Sequence, residues 1–426
     1  MLYLSTRESS GKVSLEEALF AGPAPDGGLY VPEELTRVSP PPVGARFRDT
    51  ALAVARAFFE GEMPFSTLER IVGESLDFEI PLVGLEEGSY SLELFHGPTL
   101  AFKDVGARFM ARLMLHFLER RGQEVTVIVA TSGDTGSAVA HAFHRLPGIR
   151  VVVLFPRGKV SDLQRKLFTT LGDNVEALAV EGSFDDCQRL VKEAFADARL
   201  ARRLALVSAN SINVGRLLPQ TFYYFHIGSQ LPGRPLVISV PSGNFGNLTA
   251  GLFARRMGLA CDLFVAATNV NDVVPEFLAK GVYRPRPSLS TLSNAMDVGD
   301  PSNFARILWL YRSSREAICR DVLGSVHTDE ETLSAIRDVY RRTGYVLDPH
   351  SAVGFLGAGD GMKALTPGAT SVFLATAHPA KFPETVSRAI GIEIELPAAL
   401  AAAAARPETV RSIPATYESL EEYLSP

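Results

Sequence analysis

Cysteine is scarce in this 426-residue chain: Cys187, Cys261 and Cys319 are odd in number and widely spaced. That pattern excludes a disulfide framework and offers no paired spacing for zinc. Reduced, buried thiols are the expectation. Positive charge is not in excess either. Charged residues make up 21% and the net charge is −6, which gives nucleic acid no basic surface to bind. No run of about 18 apolar residues exists, so no membrane-spanning helix is expected. Residues 1–8 lack the basic-then-apolar order of a secretory signal, and a cytoplasmic location follows as the expectation. His141 and His144 lie three apart with no third ligand at a sensible spacing, and no G-x-S-x-G elbow appears.

What is present is an ordinary enzyme composition with several short apolar runs. At roughly 150 residues per domain, the length allows about two or three domains. Runs at 125–130, 150–155, 236–240 and 371–376 each lead into a turn and, for the first and third, a helical periodicity. Continuous apolar strands alternating with helices predict an α/β fold whose mostly parallel sheets are flanked by helices. In such sheets ligands sit beyond the carboxyl ends of the strands. The first 85 or so residues read as a separate N-terminal domain, partly helical, interrupted by GPAPDGGLYVP at 22–32. The tail carries an alanine run at 401–405 and a helical pattern at 418–424.

Five segments carry chemistry. The first is HGPTLAFKDVG at 96–106, followed by Phe109, Met110, Leu113, Met114 and Phe117 at helical spacing. Lys103 opens that helix, where the positive end of the dipole disfavours a cation. Apolar and turn-forming neighbours predict partial burial. Both effects lower a lysine pKa and suit it to forming a Schiff base; a solvated surface lysine is the alternative. The second is PSGNFGN at 241–247, a strand-to-helix turn whose amides make an anion cradle, without the lysine-serine pair of a Walker loop. The third, TSGDTG at 131–136, offers hydroxyls, amides and Asp134, or else an ordinary N-cap through Ser132 or Asp134. The fourth, SANSINVGRLL at 208–218, brings Asn210, Ser211 and Arg216, a set suited to phosphate or carboxylate, or else a helix start with a solvated arginine. The fifth is TAHPAKF at 376–382.

In this order, the five segments resemble the threonine synthase family, in its longer form with an N-terminal extension. HGPTLAFKD is the most specific piece, and the resemblance runs from GPAPDGGLYVPEEL at 22–35 to the tail. It implies a fold-type-II pyridoxal-phosphate enzyme, divided into an N-terminal domain (1–85) and a catalytic core (86–426) with a mobile small subdomain at about 124–230. It implies that Lys103 holds the cofactor aldehyde as an internal aldimine. Gly243, Asn244, Phe245, Gly246 and Asn247 would bind the cofactor phosphate, Asp134 would lie by the ring hydroxyl, where shorter relatives have asparagine, and Thr376 would face the ring nitrogen. Ser132 and Thr135 would take the substrate carboxylate; Asn210, Ser211, Arg216, Asn244 and Lys381 would hold the substrate phosphate. The implied reaction converts O-phospho-L-homoserine and water to L-threonine and phosphate. Two other readings remain at this point: a phospho-lyase or dehydratase of the same fold releasing a 2-oxo acid, and an inactive cofactor-binding protein, which the intact lysine and phosphate loop disfavour.

Overall fold

The apolar runs become strands buried along their whole length: Val125–Ala130, Leu236–Pro241, Leu263–Thr268 and Thr370–Ala375. A strand with no exposed face must be covered on both sides, which is the situation of a parallel sheet between helices. In the computed structural model, which describes residues 1–233, 235–365 and 368–425, these strands form two sheets. The larger has six strands in the order Val322–Val326, Leu263–Thr268, Leu236–Pro241, Thr370–Ala375, Ser89–Glu93, Leu82–Glu86. All neighbours are parallel except the last two, which form an antiparallel hairpin. The smaller sheet is parallel throughout, in the order Arg411–Pro414, Val175–Glu181, Ile149–Pro156, Val125–Ala130, Leu206–Ser208.

Helices cover these faces closely. Lys103–Arg121 buries Phe109, Met110, Leu113, Met114 and Phe117, the stripe read from the sequence, and ends on Gly122 in the left-handed conformation with Arg120 and Arg121 in its last turn. Pro349–Ala364 lies on the large sheet through a face of small residues. A Cβ on Gly357 would come within 2.7 Å of the Ala267 Cβ, and one on Gly361 within 2.6 Å of Val237. Among the described residues no helix is long and apolar enough to cross a membrane.

Several elements differ from expectation. The N-terminal region has helices Leu15–Ala21, Phe47–Phe59 and Phe65–Ser75, and also a three-stranded antiparallel sheet of Leu2–Ser5, Val13–Ser14 and Tyr30–Pro32. Strands of two to four residues are too short to show a period of two. Its core is continuous with the rest, since Phe59 meets Phe109 of the lysine helix at 5.1 Å between ring centroids. The edge strand Leu82–Glu86 belongs to the large sheet. The tail contributes Arg411–Pro414 to the small sheet before its final helix Tyr417–Leu424; that strand, mostly exposed, carries no apolar signal. Cys187 and Cys261 are buried and free, but Cys319 is exposed, against the expectation of burial, because it falls on the outer side of the short helix Arg315–Asp321.

Candidate active site

Every motif leaves the carboxyl end of a parallel strand, so the five converge between the two sheets. Ser89–Glu93 leads through residues 94–102 to Lys103. This connection is rigidly held. Asp104, fully buried, accepts from Thr99 N at 2.8 Å and Thr99 Oγ1 at 2.6 Å. A Cβ on Gly97 would lie 2.5 Å from Asp104 Oδ2, so a larger residue there would displace the Asp104 side chain. Phe102 N donates to Thr376 O at 2.9 Å and Ala101 bridges Ala377, which ties the lysine motif to the TAHPAKF segment. Burial pushes the Asp104 carboxyl up to about 6, against the opposing hydrogen bonds from Thr99.

Lys103 is the first residue of its helix, with 16% of its side chain exposed. Burial lowers its amine to about 8; Asp134 opposes that shift, while Lys381 and Arg216 add to it. The solvated-lysine reading therefore does not apply. Asp134 opens the helix Asp134–Phe143 after the strand Val125–Ala130. Neither it nor Ser132 caps that helix: Gly133 is the cap residue, and Thr131 Oγ1 accepts from Gly133 N at 2.9 Å and Gly136 N at 2.8 Å. Asp134 is thereby free for the site. Its Oδ2 lies 3.9 Å from Lys103 Nζ, and its Oδ1 lies 2.5 Å from Lys381 Nζ and accepts from Gln164 Nε2 at 3.2 Å. Burial alone would raise this carboxyl, but the Lys381 and Lys103 ammoniums outweigh it and hold Asp134 well below the usual carboxylate range.

After Leu236–Pro241 the chain turns through Phe245, whose φ of 60° is left-handed, into the helix Gly246–Arg256. Among the described residues no backbone acceptor meets the N–H groups of residues 243–248. Such a run of free amides at a helix N-terminus is an anion site. Gly243 is pressed against the neighbouring 295–296 backbone, where a Cβ would be 2.7 Å from Ala295 O. Asn247 Oδ1 accepts from the Tyr223 and Tyr224 hydroxyls, both at 2.7 Å, and among the described residues its Nδ2 has no partner. Asn244 joins two motifs: its Nδ2 donates to Ser211 Oγ at 2.6 Å, and its Oδ1 accepts from Ser302 N at 2.6 Å.

Leu206–Ser208 leads to the fourth motif. Asn213 caps the short helix Val214–Leu217 through Gly215 N and anchors to Leu19 O and Ser208 O. Arg216 is 3% exposed, which overturns the solvated reading. Its Nη1 donates to Ala209 O at 2.6 Å, while Nε has no partner among the described residues. Asn210 and Ser211 are half-buried, Thr135 is half-buried and Ser132 is exposed. Thr376 is buried at the end of its strand. Lys381 is enclosed with its Nζ on Asp134 and on Thr99 O at 2.9 Å, so the structure groups it with Asp134 and Lys103.

Sequence reasoning missed several residues. Asp104 stands beside the lysine it positions, and its place in the motif could have drawn notice. Arg306, without exposed surface, donates to Tyr30 O, Ile212 O and Asn303 Oδ1 and so holds the 211–212 backbone. His350 accepts from Ala295 N through Nε2 and bonds Asp348 through Nδ1. Neither Arg306 nor His350 has a local sequence signal.

A buried amine of lowered pKa, a free-amide anion cradle and a neutral hydroxyl at Thr376 fit the aldehyde, phosphate and ring of pyridoxal phosphate. In agreement, the family model "Pyridoxal-phosphate dependent enzyme" matches residues 81–377, which makes this chain an enzyme of that class. The models "Threonine synthase N terminus" and "Threonine synthase, C-terminal" match residues 2–76 and 351–424. Threonine synthase of Escherichia coli is 44% identical over 100% of this chain and 99% of its own length. The structure of the pyridoxal-phosphate-bound threonine synthase of Brucella melitensis superimposes with a TM-score of 0.94 at 38% identity, covering 100% of this chain and 98% of that one. The yeast threonine synthase structure gives 0.92 at 33%, covering 99% and 97%. The chain belongs to the threonine synthase family.

Proposed function

We propose that this chain converts O-phospho-L-homoserine and water to L-threonine and phosphate, with Lys103 as the amine that carries the cofactor. The observation that supports it best is the convergence of the Lys103 amine, the free-amide loop 243–248 and the uncompensated Arg216 at the carboxyl ends of two sheets. When bound, pyridoxal phosphate supplies an electron sink for negative charge developing at the substrate α carbon. The amides of residues 243–247 would hold its phosphate, Thr376 would meet its ring nitrogen with a neutral hydroxyl, and Asp134 would lie by its ring hydroxyl.

The remaining steps are assigned to side chains. Ser132 and Thr135 orient the substrate carboxylate. Asn210, Ser211, Asn244 and Arg216 hold the substrate phosphate. The neutral Lys103 amine takes the α proton, and the same mobile group serves the proton transfers that follow, because one face of the substrate must exchange protons at several carbons. Loss of a β proton expels phosphate from the γ carbon, a proton returned to the γ carbon makes the methyl group, water then adds at the β carbon, and the α carbon regains its proton. Arg216 stabilises the departing phosphate as its charge rises, which favours the transition state over the ground state.

Cytoplasmic location belongs to the same proposal, as does movement of the small-sheet unit at about 124–230. The boundary of the N-terminal unit is better placed near residue 80 than at 85, because Leu82–Glu86 pairs within the large sheet. The test is direct. Purified protein with pyridoxal phosphate and O-phosphohomoserine should yield threonine and phosphate in equal amounts; a 2-oxo acid instead of threonine would replace this reading with the lyase one.

A further inference from the structure

Three charged groups act on the Lys103 amine, and each comes from a different element. Asp134 is in the first turn of Asp134–Phe143, Lys381 ends the short helix Pro379–Lys381, and Arg216 lies in Val214–Leu217. Asp104, next in sequence, is buried beneath them with Lys381 and Arg108 acting on it. The Asp134 carboxylate is shared unequally. Lys381 Nζ is 2.5 Å from one oxygen, while Lys103 Nζ is 3.9 Å from the other. The Lys381 side chain has no exposed surface and Asp134 has 6%, so solvent does little to screen their pairing. The Lys381 ammonium is fixed by a second acceptor, Thr99 O at 2.9 Å. Thr99 is also the residue whose amide and hydroxyl bind Asp104. His350 faces Asp134 as well, with its two nitrogens already engaged by Asp348 and the Ala295 amide.

This arrangement has a consequence for charge balance. Were Lys103 the sole partner of Asp134, their attraction would hold the amine protonated, and a protonated amine is neither nucleophile nor base. With Lys381 in place, Asp134 is already neutralised. Lys381 pairs with Asp134, among the described residues Arg216 has no carboxylate within ion-pair distance, and the Lys103 proton is the surplus charge. We infer that Lys381 is a positioning residue: it is the standing counter-ion of Asp134, and it frees the Lys103 amine to lose its proton. The inference rests on Lys103 being the reactive amine, and it removes Lys381 from the substrate-phosphate set.

The experiment measures Lys103 itself, in the full chain stripped of cofactor and without substrate. The protein is treated with a trace of an amine-acylating reagent across pH 6–11, and the modified Lys103 peptide is quantified by mass spectrometry. In the parent chain the labelling midpoint should lie near the lowered value of about 8. Lys381→Met should move it upward by about one pH unit or more, slowing labelling at neutral pH roughly tenfold. Adding Asp134→Asn to Lys381→Met should return the midpoint close to the parent value, a rescue that a merely structural role would not produce. Lys381→Gln carries the same expectation should the methionine variant fail to fold. An unmoved or lowered midpoint in the single variants, or no return in the double variant, overturns the inference. A parent midpoint at an ordinary lysine value would overturn it together with the assignment of Lys103. Failure to form threonine, with Lys103 titrating as described, would count against the reaction alone.

Discussion

Replacing Arg216 by alanine tests the division of labour in this site. The guanidinium is 3% exposed, and among the described residues no carboxylate lies within ion-pair distance of it. One of its five donors is satisfied at 2.6 Å by Ala209 O, and Nε has none. Burial lowers it to about 10, with Asp104 pulling the other way. Removing a buried cation that lacks a partner breaks no ion pair, so folding stability should hold or rise. The loss should appear with the substrate. Charge-assisted hydrogen bonds contribute roughly 1.5–3 kcal/mol each, and one or two lost to a phosphate dianion amount to about 10- to 10⁴-fold in kcat/KM. Because phosphate is also the leaving group, kcat should fall as well as KM rise. Phosphate release and threonine formation are measured on O-phosphohomoserine, with cofactor titration and thermal melting beside them. Cofactor affinity, assigned by the proposal to residues 243–247, should stay within about twofold. A variant that loses cofactor, or melts several degrees lower, would show that Arg216 holds the scaffold and would refute this reasoning.

Three further outcomes are expected. Lys103→Met should raise the melting temperature of the cofactor-free chain at pH 7: the amine falls from 10.5 to about 8 on folding, a cost of up to about 3 kcal/mol. The unfolded chain binds more protons between those two values, so this group makes stability climb with pH across pH 8–10.5 and flatten in the variant; lower melting at pH 7 would contradict it. Gly106→Ala, normally favourable inside a helix by about 0.5–1 kcal/mol, would put a Cβ 2.6 Å from Arg216 O and 3.3 Å from its Nε. It should lower kcat/KM while sparing cofactor affinity, and unchanged kinetics would mean that the Arg216 backbone shifts at no cost. Arg306→Met leaves Tyr30 O and Ile212 O, which it bonds at 2.9 and 2.7 Å, without donors in the interior. At about 1–3 kcal/mol for each orphaned group, melting should fall and limited proteolysis should open the chain near residues 22–30; parent-like melting would show that water or a local shift satisfies those carbonyls.

The sequence by itself determined the parts of this protein that depend on local chemistry. Runs such as VTVIVA and LVISVP have no polar face, so they could only be strands covered on both sides. The apolar neighbours of Lys103 at the head of its helix predicted partial burial over the solvated alternative, and the glycines of PSGNFGN made a turn that leaves amides free. What short-range pattern could not show was decided by the tertiary structure. The two-residue strand Val13–Ser14 and the exposed strand Arg411–Pro414 exist because longer neighbours offer them hydrogen bonds, and they carry no period of their own. The N-terminal unit read as separate because its composition shifts, yet Phe59 and Phe109 place it in one common core. The same limit governed the site. Asp134 and Ser132 read equally well as helix caps until Thr131 was seen to take that role. The resemblance set Lys381 among the phosphate ligands, and only folding shows it, from nearly 250 residues away in sequence, on Asp134. A residue's type sets which partners it can take, but the partner it does take depends on distances between strands that meet only in the folded chain.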